Sequence, residues 1–334
     1  MILVTGATGL VGTHLLYQLS LQENPVTALY RTDESRQHVA RVFSLFSTNG
    51  PALFEKITWV QADITDIPSL TRAFEGVTNV YHIAALVSFN PKDYQKMRRI
   101  NIEGTANVVN FCIEKNVQKL CFVSSIAAVG NAVNGKLITE ENEWDEQATN
   151  SPYAITKYGA ELEVWRASQE GVPVVIVNPG VILGLGFWNQ GSGKIIQQVA
   201  KGVPFYTTGI TGFIGATDVA KAMLLLMNSS IQNERFILVS ENNSFKEIFY
   251  TIADALQKKR PFIAIKAWVS ALVWRLDAVR VFLTKQTPVY TKSAAKAAHG
   301  TSYYSVKKIE KQLGIVFTPM EAVLHDVCKH YPRK

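Results

Sequence analysis

Short apolar runs alternate with stretches of helical spacing through the first 180 residues. Runs rich in β-branched and aromatic residues predict strands at 2–5, 26–30, 57–61, 79–83, 119–123 and 172–178. Between them, apolar positions three and four apart predict helices at 10–21, 35–46, 69–74, 97–114 and 152–169. Strand–helix alternation of this kind implies an α/β fold, a Rossmann-type doubly wound parallel sheet with right-handed crossovers. After Pro179 the pattern changes. A glycine-rich stretch from Gly184 to Gly193 reads as a mobile loop, and a further strand-like run follows at 235–240. These shifts predict a larger domain of residues 1–180, to which 214–241 returns. A smaller C-terminal α/β domain is expected from 181–213 and 242–330, placed to meet a substrate.

Composition narrows the class. Hydrophobic residues make up 47% and charged residues 18%, which excludes a disordered or collagen-like chain. Three cysteines, Cys112, Cys121 and Cys328, are too few for a disulfide framework, and no Cys/His spacing suggests a metal. The net charge of +7 is uneven: residues 1–255 hold 19 Lys/Arg against 23 Asp/Glu, and residues 256–334 hold 15 against 4. No RGG tract or zinc-finger spacing accompanies the basic excess, so a small anionic ligand is expected and nucleic acid is not.

The chain opens on a strand pattern with no basic leader, and a cytoplasmic protein is expected. The most apolar stretch, 262–283, contains Lys266, Arg275, Asp277 and Arg280. Each would cost roughly 2.5–3.5 kcal/mol at a bilayer centre, so no spanning helix is expected. A helix packed in the second domain is the expectation, with an interfacial amphipathic helix left open.

The first candidate chemistry is Thr5-Gly6-Ala7-Thr8-Gly9-Leu10-Val11-Gly12, between the first strand and the first helix. Glycines there let a turn close, let backbone N–H groups approach a phosphate and let the helix pack on the strand. The spacing is GxxGxxG, and its context points to a dinucleotide. The second strand ends in Leu29-Tyr30-Arg31, with Arg36 beyond, where NAD binders place an acid. A guanidinium suits a 2′-phosphate, so NADP(H) is the expected cofactor; Asp33 nearby keeps NAD(H) open. Asp63-Ile64 follows the third strand, where a carboxylate can accept from an adenine amino group. Asp66 and Asp218 read as helix caps, and His82 as a satisfied core histidine.

The second is Tyr153-Ala-Ile-Thr-Lys157, after Ser151-Pro152, which reads as N-cap and first helical residue. The i, i+4 spacing places phenol and ammonium on one helix face. A cation about 4 Å away contributes roughly 4 kcal/mol at an effective dielectric of 20, enough to lower a phenol pKa by about 3 units. Such a pair can exchange a proton with a substrate oxygen while a nicotinamide exchanges hydride.

In this order the motifs resemble the extended short-chain dehydrogenase/reductase family, within the NAD-dependent epimerase/dehydratase superfamily. The likeness is strongest to its dihydroflavonol 4-reductase and 3β-hydroxysteroid dehydrogenase branch. It rests on TGATGLVG (5–12), AD (62–63), HIAALVS (82–88), NIEGTANVV (101–109), FVSSIAAVG (122–130), YAITK (153–157), NPGVILG (178–184) and GATDVAKA (215–222). The resemblance implies that Ser125 steadies a substrate carbonyl, Tyr153 is the acid/base, Lys157 its partner, and Asn101 the holder of a proton-relay water. It implies cofactor contacts at Ala84, Ala85, Pro179, Gly180 and Val181, besides Tyr153 and Lys157. It also implies dimerisation through helices 97–114 and 152–169. Ala128-Val129-Gly130 and Asn178-Pro179 depart from the epimerase pattern.

Substrate contacts are expected from loops at the carboxyl ends of the strands. The candidates are Ser88, Phe89, the 126–135 loop, Phe187, Trp188 and Phe205-Tyr206, which favour an apolar or ring-bearing carbonyl compound. The expected activity is NADP(H)-dependent reduction of a ketone or aldehyde to an alcohol. The alternatives are an NAD-dependent sterol or hydroxysteroid dehydrogenase, a nucleotide-sugar epimerase or dehydratase, and a non-catalytic dinucleotide sensor.

Overall fold

The computed structural model describes residues 1–132, 135, 137–284 and 286–332. The alternation of strand and helix periods builds one large parallel sheet. Its strands begin in chain order with β1 (Ile2–Thr5), β2 (Val26–Tyr30), β3 (Thr58–Gln61), β4 (Asn79–His82), β5 (Lys119–Val123) and β6 (Val174–Pro179). The chain then forms β7 (Val181–Leu183), β8 (Phe205–Tyr206) and β9 (Ile210–Gly215), and returns to the sheet as β10 (Glu234–Leu238). β11 (Glu241–Ser244) and β12 (Ile263–Ala264) complete the set among the described residues.

The large sheet runs β10-β6-β5-β4-β1-β2-β3, so the order reverses between β1 and β4. Successive residues face opposite sides: Val175 and Val177 enter one core with Leu15, Leu19 and Met223. Val174 and Ile176 enter the other with Phe74, Val109 and Val164. Burial on both faces explains why these strands read as continuous apolar runs. A third core joins Leu183, Phe213, Ile252 and Leu324, under the small sheet β11-β9-β7 and the helices Gly193–Ala200, Phe245–Ala255 and Met320–Lys329. β10 pairs with β6, and the helix Ala216–Asn228 before it packs on the helix Leu10–Ser20, so 216–238 lies on the large sheet while β9 belongs to the small one.

Three local expectations change. The segment 97–114 is not one regular helix: a π-helical turn at Arg98–Glu103 interrupts it before the helix Gly104–Glu114 resumes. There the Thr105 hydroxyl donates to the Asn101 carbonyl at 2.5 Å, competing with the backbone ladder. Asp218 is not a cap, since Gly215 holds that position; its carboxylate accepts from the Thr318 amide at 2.7 Å. The glycine-rich stretch is not a free loop, because Leu185 and Phe187 are buried and Gly186 packs on Val42.

Candidate functional site

All strands of the large sheet are parallel, so every segment that leaves a carboxyl end emerges on the same edge. The glycine turn follows β1, Arg31 follows β2, Asp63 lies just past β3, Ala84 and Ala85 past β4, and Ser125 past β5. Pro179 ends β6, with Gly180 and Val181 beyond it. The turn after β1 and the segment after β4 flank the point where strand order reverses.

The three glycines differ in what they do. Gly6 has φ +64°, and a Cβ there would lie 2.5 Å from the Ala84 amide nitrogen. At Gly12 a Cβ would meet the Gly6 carbonyl at 2.3 Å. Both are demanded by packing. Gly9 is exposed, and a Cβ there would meet only the Gly6 carbonyl, at 3.4 Å. It also starts the helix Leu10–Ser20, which has neither a side-chain cap nor an acidic residue in its first turn. A helix start with free N–H groups beneath an open glycine fits a pyrophosphate. Thr8, Leu10 and Val11 belong to this same turn and first helical turn.

Around the adenosine end, Arg31 is exposed, while Arg36 pairs with Asp33 at 3.1 Å and stacks over Tyr30. The next helix, Asp33–Phe46, starts with Asp33 and Glu34 and is capped by Thr32. Asp63 folds onto Thr65, accepting from its amide and its hydroxyl at 2.8 Å each, and Ile64 is buried against Gly104. Asp66 caps the helix Ile67–Ala73 through the Ser69 amide, as the sequence indicated.

Ser151 caps the helix Pro152–Gln169 through the Ala154 amide at 3.1 Å, which positions Tyr153 in its first turn. Burial raises the Tyr153 pKa above the ordinary phenol value, and a hydrogen bond with Ser125 pulls the other way. Lys157, which the spacing sets on the same helix face as the phenol, makes its hydrogen bond elsewhere. Its ammonium donates to the Val123 carbonyl at 2.7 Å and lies 4.4 Å from the centre of the Phe122 ring. Burial lowers the Lys157 pKa to about 7, partly opposed by Glu161.

Asn101, turned inward by the π-helical segment, uses its side chain as a brace. It accepts from the Leu86 amide at 2.7 Å and donates to the Leu86 carbonyl and the Thr156 hydroxyl. Both amide hydrogens are thereby taken, so they are not available to a relay water. Sequence reasoning missed Glu161, one helical turn beyond Lys157 and 1% exposed. Its carboxylate accepts from Ser124 at 2.6 Å, Asn178 at 2.9 Å and Arg235 at 3.2 Å. Asn178 also donates to the Ser125 carbonyl, and Arg235 to the carbonyls of Glu140 and Asn142. The only signal was a carboxylate four residues beyond Lys157, a spacing that is usually a solvated pair.

His82 is buried between the hydroxyls of Thr5 and Thr105, at 2.6 and 2.9 Å. Since Thr105 spends its proton on the Asn101 carbonyl, His82 Nε2–H donates to Thr105 and Nδ1 accepts from Thr5. The ring is neutral, its pKa lowered to about 3 by burial and then by Lys157.

The substrate candidates disperse. Ser88 donates to Asp93 at 2.5 Å in a local turn, and Phe89 is exposed. Phe187 is buried edge-on to His38, and Trp188 packs edge-on to Tyr331 in the third core. Both aromatics serve packing, because the loop that carries them folds inward. Val133 and Asn134 of the 126–135 loop lie outside the described residues.

Comparison with known proteins agrees with this layout. The model of the NAD dependent epimerase/dehydratase family matches residues 2–239. The chain is 27% identical over 334 residues to sterol demethylase protein B of Methylococcus capsulatus, covering 97% of this chain and 96% of that protein. To anthocyanidin reductase of Arabidopsis thaliana it is 27% identical over 281 residues, covering 77% and 80%. The crystal structure of gox2253 superposes with a TM-score of 0.81 at 25% identity, covering 98% of this chain and 97% of that one. A parallel sheet with an open glycine turn at its switch point, matched by the family along most of its length, makes this chain a member of the NAD-dependent epimerase/dehydratase family, an NAD(P)-dependent oxidoreductase of the extended short-chain dehydrogenase/reductase type.

Proposed function

We propose that this enzyme is an NADP(H)-preferring reductase that converts a ketone or aldehyde to an alcohol, with Tyr153 as the proton donor. The observation that carries the reading is the meeting of the Tyr153 and Ser125 hydroxyls on the edge that also bears the glycine turn. When bound, the nicotinamide supplies the hydride. Ser125 orients the carbonyl oxygen and stabilises charge that develops on it. Tyr153, whose phenol pKa burial raises, gives its proton to that oxygen. Lys157, near its own midpoint at neutral pH, sits beneath the site and can restore charge balance as the phenol loses its proton. The Gly9 turn and the helix start behind it hold the pyrophosphate. Ala84, Ala85, Pro179, Gly180 and Val181 line its path to the nicotinamide, and Arg31 meets the 2′-phosphate. Asn101 holds the 84–88 segment against the helix of Tyr153.

Tyr153→Phe is expected to lower turnover by about 10²–10⁴-fold and to leave NADPH affinity within roughly threefold. Single-turnover NADPH oxidation on a carbonyl library, with NADPH titrated by fluorescence, measures both. Undiminished turnover would sink the assignment. Arg31→Ala is expected to weaken NADPH at least about tenfold and leave NADH unchanged, as a lost charge-assisted phosphate contact requires. Equal weakening of both would return the preference to NAD(H).

A second reading, an NAD-dependent sterol dehydrogenase, is favoured by the relative named sterol demethylase protein B, matched along nearly its whole length. Turnover of ring-fused alcohols with NAD in the same assay separates the two. Three buried free cysteines support a reducing, cytoplasmic setting. The exposed Ile155 and Leu162 on the helix Pro152–Gln169 support a homodimer through that helix and Gly104–Glu114.

A further inference from the structure

The helix Ala267–Thr284 buries only Ser270. Its inner strip is narrow. Ser270 meets His299 at 2.8 Å, and Asp277 accepts from the amides of Val289 and Tyr290. The helix therefore folds back on the segment that immediately follows it. At 100° per residue, Trp268, Leu272, Leu276, Val279 and Leu283 fall within an arc of about 80° on the opposite side, and all five are exposed. Phe262, just before the helix, and Phe282, near its end, are also exposed, at 74% and 83%. An unbroken apolar stripe of this length is not ordinary surface.

Charge says what covers it. Residues 256–300 carry nine Lys/Arg and a single acid, Asp277, which is already paired with Arg280. Lys258, Lys259, Lys266, Arg275 and Lys292 are exposed with no carboxylate partner among the described residues. No helix is long and apolar enough to cross a membrane among the described residues. A second copy applied to the same face would set cations against cations. A surface that offers hydrocarbon in its middle and anions around it satisfies both parts. We propose that this face docks on an anionic lipid bilayer, the helix Ala267–Thr284 lying in the interface with its apolar stripe among the acyl chains and the lysines and arginines at the headgroups. Lys296, on the adjoining helix Lys292–His299, donates to the Thr149 carbonyl at 3.0 Å. That contact ties the docking unit to the segment that leads into Tyr153.

The test is flotation of the full chain with vesicles of phosphatidylcholine containing about a quarter phosphatidylglycerol, against phosphatidylcholine alone. The protein is expected to float only with the mixed vesicles and to leave them at high salt. A Leu272→Ser, Leu276→Ser, Val279→Ser triple variant is expected to lose binding while its unfolding temperature stays within about 2 °C, since all three positions are exposed. A Lys258→Gln, Lys259→Gln, Lys266→Gln variant is expected to bind on the order of a hundredfold more weakly, each cation near the surface being worth roughly fivefold. Failure to float, flotation indifferent to phosphatidylglycerol, or undiminished binding by the apolar variant overturns the proposal. So does a dimer in sedimentation that the apolar variant dissolves while neither protein binds vesicles.

Discussion

Lys157 and Glu161 form the centre of the polar machinery under the site, and each has a measurable consequence. The folded-state pKa of Lys157 lies near 7, below the ordinary lysine value. Between those two values the unfolded chain binds one proton more than the folded one, so stability rises with pH across that window. A single group contributes up to about 1.4 kcal/mol per pH unit there. Lys157→Met is expected to remove this slope from urea midpoints of the cofactor-free protein measured between pH 7 and 10; an unchanged slope would mean that the lysine is not desolvated. Glu161 raises the lysine pKa. Glu161→Gln is therefore expected to move the lysine limb of the kcat/KM pH profile to lower pH. It should also destabilise the fold by on the order of 3 kcal/mol, since it leaves Arg235 without its buried partner. Denaturant titration reads the second effect independently of activity. Neither role was legible in the sequence, where the spacing of Tyr153 and Lys157 suggested a direct electrostatic pair. Spacing reports a shared helix face, but it does not report that the long lysine chain would reach the Val123 carbonyl.

The elements were legible where period and punctuation agree. The helix Pro152–Gln169 matches its sequence boundaries because Ser151 and Pro152 mark its start. β1, β2 and β5 match because turn residues bound each apolar run. The π-helical turn at Arg98–Glu103 was not legible, since one extra residue in a turn leaves the apolar spacing nearly intact. The inward fold of the 184–193 stretch was hidden for a different reason: glycines license a bend without saying where it packs. The glycine turn itself separates two effects that sequence reasoning joined. Gly9→Ala is expected to fold with an unfolding temperature within about 2 °C of the parent, because its Cβ meets only an ordinary contact, and to weaken nucleotide binding. Gly12→Ala is expected to cost about 1–3 kcal/mol of stability, because its Cβ would overlap the Gly6 carbonyl. Calorimetry with and without NADPH reads both. The reverse pattern would mean that the nucleotide does not approach Gly9.

At the scale of the whole molecule, acid is the expected weakness. His82 and His14 are buried and neutral, with pKa values lowered to about 3 and 4 by desolvation. In the unfolded chain both would take a proton near pH 6.5. Stability is therefore fully present above that value and falls as pH drops below it, by up to about 1.4 kcal/mol per unit for each ring. Urea midpoints between pH 7 and 4.5 should decline with that combined slope, and a flat profile would show that the rings stay accessible to protons in the folded state. The sheet order imposes a further consequence on biosynthesis. β6 has Pro173-flanked residues Val174–Pro179 buried on both faces, yet its outer neighbour β10 lies more than fifty residues downstream. Until those later residues leave the ribosome, a nascent chain carries a sticky, unpaired strand margin, open to pairing with any neighbouring polypeptide. Synthesis of the remainder is thus what seals the earlier part, and a fragment stopped near residue 200 should need a chaperone to remain dispersed.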